Sequence, residues 1–458
     1  MAEHTMMMEE TLLALLSEKK YFSLRDILNT MNPSDIASIF DHLEEDRLPL
    51  LFRLLPKELA ADTFVEMEPE AQELLIRGFS DSELREVLDE LYVDDAVDIV
   101  EEMPANVVRR ILRQADPDMR KQINEILRYP EDSAGSIMTT EYVTLRPNMT
   151  VEEAIKRIRR TGIDKETIYT CYVTQDRRLI GLATVKDLLL CDDDDQIISE
   201  IMEENVISVN TLEDKEAVAQ MFSKYNFLAL PVVDTEGRLV GIVTFDDAMD
   251  VMEEETTEDM EKMAAMLPSE KPYMRLTIFA IWKNRIPWLL LLMVSATFTG
   301  MILNHFEEAL AAQIVLTSFI PMLMDTAGNS GSQTSVTVIR GLSLGEIELR
   351  DLPKILWKEC RVAILCGLTL AAAVYLKILL IDKLLLGGEG ITLPVMLTVC
   401  ITMAVTVLCA KLVGGTLPIV AEKLGFDPAV MASPFITTIV DALALLVYFQ
   451  VATLLLHL

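Results

Sequence analysis

The chain has 458 residues and a formal net charge of −32, yet 51% of its residues are hydrophobic. Positions 1–272 hold 28 basic and 60 acidic residues, whereas positions 273–458 hold 12 of each. An acidic surface excludes nucleic acid as a partner, and the many periodic apolar residues exclude a disordered acidic protein. Cations are the natural counter-species, and the length predicts about three folding units.

Cysteine and histidine usage predicts neither disulfide bonds nor a zinc site. None of the six cysteines forms a Cys-x-x-Cys pair, and four lie in the apolar part, which indicates buried thiols in a reducing compartment. The four histidines are scattered, so a histidine-based zinc site is not expected. The N-terminus lacks a basic start followed by an apolar run, and we expect no signal peptide.

Short segments with one apolar face recur along residues 10–130, and they are interrupted by proline or aspartate. This pattern predicts a small α-superhelix of short helices. Asp94 and Asp98 lie four residues apart on one of these segments and would share a helix face. Like charges at that spacing repel each other unless solvent or a cation screens them, although one such pair is also ordinary on a protein surface.

Residues 137–252 contain an internal repeat with a period of 60 residues. Each copy is predicted to run strand, helix, strand, turn, strand, helix, which is an α/β arrangement. Both copies end on the pattern Gly-x-x-Thr-x-x-Asp. The matched positions are Gly181 and Gly241, Thr184 and Thr244, and Asp187 and Asp247.

This repeat resembles a tandem pair of CBS domains. The resemblance implies that the pair binds an adenine nucleotide such as ATP, with the Thr–Asp ending of each copy near the ribose. It implies Thr184, Asp187, Thr244 and Asp247 as nucleotide-binding residues, with Phe227 as a further contact.

The segment after the repeat is strongly acidic, since residues 246–261 contain no basic residue. As a helix it would carry a stripe of carboxylates that repels other acidic surfaces and is drawn to them by divalent cations. The simpler interpretation is a solvated charged connector. The position of the stripe directly before the first apolar stretch favours the cation-binding interpretation. The stripe comprises Asp247, Asp250, Glu254, Glu258 and Glu261.

Five apolar stretches follow Arg285, and each is long enough to cross a bilayer core of about 30 Å as a helix. Lys and Arg precede the first stretch and cluster between the second and third, so the positive-inside rule places the N-terminal 272 residues in the cytoplasm. An odd number of spans then places the C-terminus outside. The approximate limits are 286–304, 313–339, 359–381, 391–418 and 430–456.

A carboxylate inside the last stretch is the first candidate for an ion path. Asp441 lies in a bilayer-spanning segment, where a charge is costly unless it is paired or hydrated. Thr437 and Thr438 precede it by one turn, so at least one of them shares its face. The alternative is a structural ion pair between Asp441 and Lys411 or Lys377.

The second stretch carries small and amide residues between Asp325 and Gln333, among them Asn329. A tight helix contact and pore lining explain any single residue here equally well, but together with Asp441 the segment favours a polar path. Oxygen ligands without a histidine or cysteine cluster favour a hard cation such as Mg²⁺ or Ca²⁺. Nothing in the sequence indicates a covalent reaction centre, so an enzyme is not expected.

The order of these parts, together with segments 321–333 and 424–449, resembles the MgtE family of magnesium channels over essentially the whole chain. The resemblance implies a homodimer whose pore is formed by the spans. It also implies Mg²⁺ sites among the cytoplasmic domains that close the pore when internal Mg²⁺ is high. The implied partners are Mg²⁺, a second copy of the chain and the lipid bilayer.

The resemblance also assigns roles to individual residues. Asp441 occupies the place of the pore aspartate that holds hydrated Mg²⁺, and Asp427 matches a carboxylate at the cytoplasmic end of the pore that helps to bind gating Mg²⁺. Asp325 adds a charge near the outer part of the pore, and Thr170 replaces a Tyr that stacks on the nucleotide base. The implied sensing positions are Asp94, Asp98, Asp247, Asp250, Glu255, Glu258 and Asp259.

We therefore expect a multidomain protein of the inner membrane. It would have an α-superhelical N domain at 1–130, an α/β CBS pair at 131–252, an acidic connecting helix at 253–275 and a five-helix all-α pore domain at 276–458. The expected function is Mg²⁺ influx through a channel that cytoplasmic Mg²⁺ closes, with ATP modulation through the CBS pair. The alternatives are a transporter of Mn²⁺ or Co²⁺, and a membrane-anchored nucleotide sensor whose spans only dimerise.

Overall fold

The computed structural model describes residues 2–269, 273–387, 390–431 and 433–457. Within these residues the chain divides into two compact units, Met1–Met252 and Glu253–Leu458. The first unit begins with short helices and continues into two small β-sheets, whereas the described elements of the second unit are all helical.

Short consecutive helices form the beginning of the first unit, which confirms that part of the prediction. Pro33, Pro69 and Pro117 lie in the first turn of their helices, where a missing N–H group costs nothing. Ser80 and Glu83 form a capping box at another helix start. The helices are α1 Ala2–Ser17, α2 Tyr21–Leu28, α3 Pro33–Phe40, α4 Leu48–Phe52, α5 Lys57–Val65, α6 Pro69–Gly78, α7 Asp81–Leu88, α8 Val93–Glu102, α9 Ala105–Gln114 and α10 Pro117–Ile126.

These helices pack around an apolar core that continues into the second half of the repeat. Phe52, Phe64 and Phe79 lie with ring centroids 5.4 to 6.3 Å apart, and such pairs add about 0.5–1.5 kcal/mol each beyond their buried area. The guanidinium of Arg110 donates to the carbonyl oxygens of Ile76 and Phe79. It thereby satisfies carbonyl groups at the end of α6 that have no partner within their helix.

The two sheets have the same topology, which confirms the predicted repeat. In each, the first strand pairs in parallel with the second, and the second pairs antiparallel with the third. The first copy contains β1 Val143–Leu145, α11 Val151–Thr161, a 3₁₀ turn Gly162–Asp164, β2 Thr170–Gln175, β3 Arg178–Thr184 and α12 Val185–Leu190. The second contains α13 Ile198–Ile201, β4 Val209–Asn210, α14 Lys215–Tyr225, β5 Ala229–Val233, β6 Leu239–Thr244 and α15 Phe245–Met263.

The glycine in the ending of each copy is in close contact with the other copy. A Cβ atom on Gly241 would lie 2.5 Å from Sδ of Met138 and 2.9 Å from the carbonyl oxygen of Thr139, and a Cβ on Gly181 would lie 2.6 Å from Sδ of Met202. Met138 belongs to the Ile-Met pair that begins the first copy, and Met202 to the pair that begins the second. Each copy therefore starts by packing against the sheet of the other.

Long helices occupy each of the five apolar stretches in the second unit. Among the described residues, four helical segments are long and apolar enough to cross a membrane. α18 is 24 residues long, but the polar residues in its middle lower its mean hydropathy. By length and hydropathy, the described residues therefore contain four candidate spans and not the predicted five. The four segments are Ile278–His305, Leu349–Leu385, Leu393–Lys423 and Pro428–Leu456.

The helical elements of the second unit are continuous through most of these stretches. They are a 3₁₀ turn Tyr273–Arg275, α16 Ile278–His305, α17 Glu307–Ala312, a 3₁₀ turn Ile314–Phe319, α18 Ile320–Ser343, a 3₁₀ turn Leu349–Asp351, α19 Leu352–Lys377 with a π-helical extension Ile378–Leu385, α20 Leu393–Lys423, a 3₁₀ turn Pro428–Met431 and α21 Ser433–Leu456. No residue of α16 is fully buried, although Ile302 and Leu303 pack against the core of the second unit. Most of its apolar surface is therefore available to lipid or to a further helix.

α18 packs against α20 and α21 through its small residues. Gly331 lies against the backbone of Gly414, and Gly328 lies against the side chain of Thr437. Small residues allow helix backbones to approach this closely. Tight helix contact therefore explains the glycines of the 325–333 segment.

A buried ion pair links α18, α19 and α20. Nζ of Lys411 lies 3.7 Å from Oε2 of Glu359, while the hydroxyl of Thr334 donates to Glu359 (3.0 Å) and accepts from Lys411 (3.2 Å). The two charged side chains are only 7% and 17% exposed. Because an unpaired charge at such a site is strongly unfavourable, the three helices are held in one relative register.

We expect Gly241→Ala and Gly181→Ala to destabilise the CBS pair, because the added methyl group has no room beside the other copy. Overpacking of this kind costs about 1–3 kcal/mol, which would lower the melting temperature of the full-length protein followed by circular dichroism. Gly78→Ala is the matched control, since nothing lies within 4 Å of a Cβ atom there. Equal melting temperatures for all three variants would contradict the packing argument.

Candidate cation sites

Asp441 lies on α21 beside the polar middle of α18. Its Oδ1 atom is buried and has no hydrogen-bond partner among the described residues, and it lies 3.5 Å from the Cβ position of Gly328. Thr437 faces the same glycine, whereas the hydroxyl of Thr438 donates to the carbonyl oxygen of Pro434 in its own helix (3.0 Å). A buried carboxylate oxygen without a partner is costly among apolar helices, and this position favours contact with a cation or its water shell.

The polar residues of α18 form an exposed stripe next to this carboxylate. Asp325 and Asn329 lie one turn apart and are exposed within the single chain, as is Gln333 one turn further on. Asp325 is close enough to Asp441 for the two charges to repel each other. The glycines of the segment thus face neighbouring helices, while its carboxylate and amides face outward, where they are free to line a path.

The ion pair that was the alternative for Asp441 is not formed. Lys411 pairs with Glu359, and Nζ of Lys377 lies 2.8 Å from Asp382. Each lysine therefore already has a carboxylate of its own. Among the described residues, neither lysine neutralises Asp441.

A second group of carboxylates lies in the first unit, between α8 and the first CBS copy. One oxygen each from Asp94, Glu141 and Glu166 lies within 4.8 Å of the others. Asp94 is only 7% exposed, and its Oδ1 atom and Oε2 of Glu166 are buried without a hydrogen-bond partner in the described part of the chain. Three carboxylate oxygens at this spacing can ligate a divalent cation such as Mg²⁺ or Ca²⁺.

Asp247, near the start of α15, faces the same group. Its Oδ2 atom accepts from the hydroxyl of Thr244 (2.6 Å), and its charge acts on Asp94, Asp95 and Asp98 of α8. Asp98 lies at the exposed edge of the group. The structure therefore brings Asp247 close to Asp94 and Asp98, two predicted sensing residues that lie far from it in sequence.

Burial and mutual repulsion raise the pKa values of these carboxyl groups. Burial, and then the charge of Asp247, raise the pKa of Asp95 to about 7, and burial followed by the neighbouring aspartates raises that of Glu166 to about 9. The pKa values of Asp94 and Asp247 are raised by the same two causes. The group can therefore exchange protons for a divalent cation near neutral pH.

From the sequence, no role was assigned to Asp95, Glu141 or Glu166. Asp95 could have been found, since it adjoins Asp94 in the same acidic helix. Glu141 and Glu166 lie in loops of the first CBS copy, where the N–H group of Glu166 donates to the carbonyl oxygen of Glu141 (3.0 Å). No local pattern marks these two loops, because only the packing of α8 on the CBS copy brings them to the site.

A third group of charges lies in the second unit, where the end of α15 meets the turn before α21. Lys262 forms ion pairs with Glu258 and, at 2.6 Å, with Oδ2 of Asp427. The hydroxyl of Ser343 donates to Asp259 (3.2 Å), and burial, with the nearby charge of Asp427, raises the pKa of Asp259. Burial alone would lower the pKa of Lys262, but its hydrogen bonds to Asp427 and Glu258 raise it.

The sequence did not predict a basic residue in this group. Lys262 is the first position after the acidic run of 246–261, and its ammonium lies between two predicted sensing carboxylates. Asp250 is exposed and Glu255 partly buried on the same helix. Both make polar interactions, and neither belongs to the close group around Asp94.

The two Thr–Asp endings of the repeat lie in different surroundings. The hydroxyl of Thr184 donates to Asp187 (2.5 Å), as that of Thr244 does to Asp247. Thr184 lines a cavity of about 500 Å³, whereas Asp247 takes part in the acidic group described above. The cavity is lined by Tyr169, Thr170, Thr184, Val185, Lys186, Leu189, Leu190 and Leu228.

Aromatic residues lie at and near this cavity. Tyr169 supplies an aromatic ring next to Thr170, which sequence analysis took as the replacement of a tyrosine. Phe227 precedes the lining residue Leu228 and stacks on Tyr225 with ring centroids 5.3 Å apart. The cavity at the first Thr–Asp ending therefore combines apolar walls with a hydroxyl and a lysine, as a nucleotide requires.

Family models match the chain in succession along its length. The MgtE intracellular N domain matches residues 31–132, CBS domains match residues 134–193 and 198–254, and MgtE, a divalent cation transporter domain, matches residues 320–451. These matches confirm the resemblance found for the repeat and for the order of the parts.

Relatives and solved structures agree with these matches. The crystal structure of the cytosolic domain of the Mg²⁺ channel MgtE in complex with ATP is 39% identical, with a TM-score of 0.51, and the match covers 53% of this chain and 99% of that one. The magnesium transporter MgtE of Bacillus subtilis is 31% identical over 447 residues, 97% of each chain. That of Thermus thermophilus is 38% identical over 440 residues, 95% of each chain. Identity at this level over almost the full length of both sequences shows that the chain belongs to the MgtE family of divalent cation transporters.

Proposed function

We propose that the chain is a channel for Mg²⁺ influx, held closed by cytoplasmic Mg²⁺ bound to its acidic regions. Its family consists of transporters, which confirms the expectation that it is not an enzyme. Magnesium is the favoured ion, because the relatives from T. thermophilus and B. subtilis are magnesium transporters. The observation that best supports the pore assignment is that Oδ1 of Asp441 is buried and has no hydrogen-bond partner among the described residues.

In this proposal Asp441 holds Mg²⁺ through its water shell. Mg²⁺ dehydrates reluctantly, so a carboxylate from each of two chains facing one axis can attract the ion without removing all its water. Thr437 and Thr438 lie one turn before the carboxylate, and Asp325 and Asn329 add polar groups from α18. The ion pairs of Lys411 and Lys377 with other acids support this assignment, since neither of these two lysines neutralises Asp441.

The proposed architecture follows from the same features. With α18 included as the second span along the chain, the spans number five. This odd number places the N-terminal part in the cytoplasm and the C-terminus outside a bacterial-type inner membrane. The domains are 1–130, 131–252, 253–275 and 276–458, and the division of the chain at Met252 supports the second boundary. A homodimer is supported by apolar side chains on the CBS pair, such as Leu189 and Leu190, that are 66% and 70% exposed in the single chain.

Gating in this proposal uses the two acidic groups outside the membrane. Cytoplasmic Mg²⁺ would neutralise Asp94, Asp98 and Asp247 with Glu141 and Glu166 and favour the compact, closed state. When Mg²⁺ falls, repulsion among these carboxylates loosens that state, so binding and closure are linked. The same argument applies at the other end of α15. There the proposed ligands are Glu255, Glu258, Asp259 and Asp427, while Asp250, on the part of α15 that belongs to the first unit, is a further proposed sensing residue.

ATP modulation is proposed for the first CBS copy. Thr184 and Asp187 form the hydrogen-bonded ending at the cavity, and the cytosolic domain of the ATP-bound relative matches this part of the chain. Phe227, which adjoins the lining residue Leu228, would supply a further aromatic contact. Thr244 lies in the second copy and would contribute less, because the Asp247 that it contacts belongs to the acidic group.

Asp441→Ala should abolish growth rescue of a strain that lacks Mg²⁺ uptake, because the mutation removes the carboxylate that attracts the ion. Asp441→Glu keeps the charge and should retain part of the rescue. Growth at low external Mg²⁺, with membrane expression verified by immunoblotting, measures both variants. Full rescue by Asp441→Ala would exclude the pore assignment.

The acidic group of the first unit should make Mg²⁺ binding depend on pH. Because the folded pKa values are raised, protons stabilise this packing at low pH, and that stabilisation is lost as the pH rises through about 7 to about 9. Since protons already hold the packing together at the lower end of this range, Mg²⁺ should add little protection from protease there, and its protection of the first unit should grow toward the upper end, where Mg²⁺ replaces the lost protons. Limited proteolysis of the full-length protein across Mg²⁺ concentrations measures the shift.

Glu166→Gln is the informative variant for this test, since it removes the carboxyl group with the highest of these pKa values. It should weaken the pH dependence of protection between about 7 and about 9. A Mg²⁺ requirement that is the same at every pH in the wild-type protein would contradict the proposed exchange of protons for Mg²⁺.

Combined neutralisation of Asp250, Glu258 and Asp259 to Asn or Gln should leave conduction intact but move closure to higher Mg²⁺. Loss of ligands worth about 1.4 kcal/mol raises the required concentration about tenfold. Patch recording at varied cytoplasmic Mg²⁺ measures the shift, and Glu253→Gln, an exposed acid on the same helix, is the matched control. An unchanged Mg²⁺ dependence in the triple variant would count against sensing by this helix.

A further inference from the structure

A basic cavity lies on the first CBS copy, although this half of the chain carries the whole net charge of −32. Its volume is about 500 Å³. None of its lining residues belongs to the carboxylate groups or to the cavity at Thr184. The lining consists of Arg146, Asn148, Met149, Glu153, Lys156, Arg157 and Arg160.

The cations of this cavity come from two adjoining elements. α11 supplies Lys156, Arg157 and Arg160, and the loop after β1 supplies Arg146. Lys156 forms an exposed ion pair with Glu152 (2.8 Å). In the described part of the chain, the three arginines form no ion pair with a carboxylate, so their charges are not neutralised from within.

The acid in the lining has a structural task. Glu153 and Thr150 form the capping box that begins α11, and Oε2 of Glu153 accepts from the N–H group of Thr150 (3.2 Å). This hydrogen bond holds the carboxylate at the helix start. Three arginines without an ion pair among the described residues, against one carboxylate held in the capping box, leave the cavity positive.

Arg157 is the partly buried member of the set. Its Nη2 atom donates to the hydroxyl of Thr144 (3.2 Å), but its Nε atom is buried and has no acceptor among the described residues. A buried N–H group left without an acceptor is unfavourable, and an anion that accepts from it would remove this cost. The planar guanidinium matches the oxygens of a phosphate, which can accept two parallel hydrogen bonds from it.

We propose that this cavity binds the phosphate groups of a small soluble anion. Three arginines and a lysine provide more donors than one phosphate has oxygens, so the cavity suits a polyphosphate chain or a multiply phosphorylated compound. The site is separate from the proposed nucleotide cavity and from the proposed Mg²⁺ sites, because it shares no residue with them.

Isothermal titration of the full-length protein in detergent micelles, with inorganic tripolyphosphate in Mg²⁺-free buffer, tests this proposal. Tripolyphosphate has no base or ribose for the cavity at Thr184. We expect one binding event per chain, weakened at least about tenfold in Arg160→Gln and in Arg146→Gln, since each loses a charge-assisted hydrogen bond. Arg159→Gln is the matched control, because Arg159 lies on the same helix but outside the lining.

Absence of binding, or equal weakening by Arg159→Gln and Arg160→Gln, would overturn the proposal. Lipid headgroups also carry phosphate, so the titration is repeated in nanodiscs of phosphatidylcholine with and without phosphatidylglycerol. Binding that persists with phosphatidylglycerol supports a soluble anion. Binding that phosphatidylglycerol abolishes assigns the cavity to a lipid headgroup and overturns the soluble ligand.

Discussion

Repulsion between carboxylates that are held out of water is the constraint on which the first unit depends. Asp94, Glu141 and Glu166 approach within 4.8 Å because an apolar core, continuous from the N-terminal helices into the second CBS copy, fixes α8 against the repeat. Apolar burial favours this packing, and the charges oppose it. The balance between the two terms is set by whatever counter-charge is present, so a small change in cation or proton concentration acts on the whole interface.

Other charged side chains of the second unit have partners within the chain. Lys411 and Glu359 neutralise each other between three helices, and Lys377 has Asp382. Where a charge serves the fold, the chain supplies the opposite charge itself. Asp441 and the group around Asp94 have buried carboxylate oxygens without hydrogen-bond partners among the described residues. Such unpaired buried oxygens are energetically unfavourable, and they are typical of sites that bind an ion.

Much of the fold could be predicted because it follows from periodicity. The 60-residue repeat determines the topology of both sheets, and the acidic run after it forms one continuous helix, Phe245–Met263. The number of spans was harder to read. α18 has the length of a span, but the small and polar residues that allow its close packing also remove the hydropathy by which spans are recognised.

The candidate sites were predictable where they lie on one helix and not where packing assembles them. Asp441 was a candidate because it lies inside an apolar stretch, and the carboxylates of α15 were candidates because they lie in one acidic run. Glu141 and Glu166 lie in loops that only the tertiary fold brings to α8. The contacts of Met138 with Gly241 and of Met202 with Gly181, each between one copy and the other, are not indicated by any local sequence pattern. Contacts of this kind depend on the packing of segments that are distant in sequence, and no local pattern in a single sequence reveals them.

The ammonium of Lys262 has a consequence for which ions can act at the end of α15. It is tethered between Glu258 and Asp427 and cannot diffuse away, so any incoming ion must displace a charge of +1 that is always present. A potassium ion brings the same charge and gains little, whereas a divalent ion brings twice as much. In the gating site proposed here, the lysine would therefore discriminate between ions by valence, and the monovalent salt of a cell would compete little for the two carboxylates.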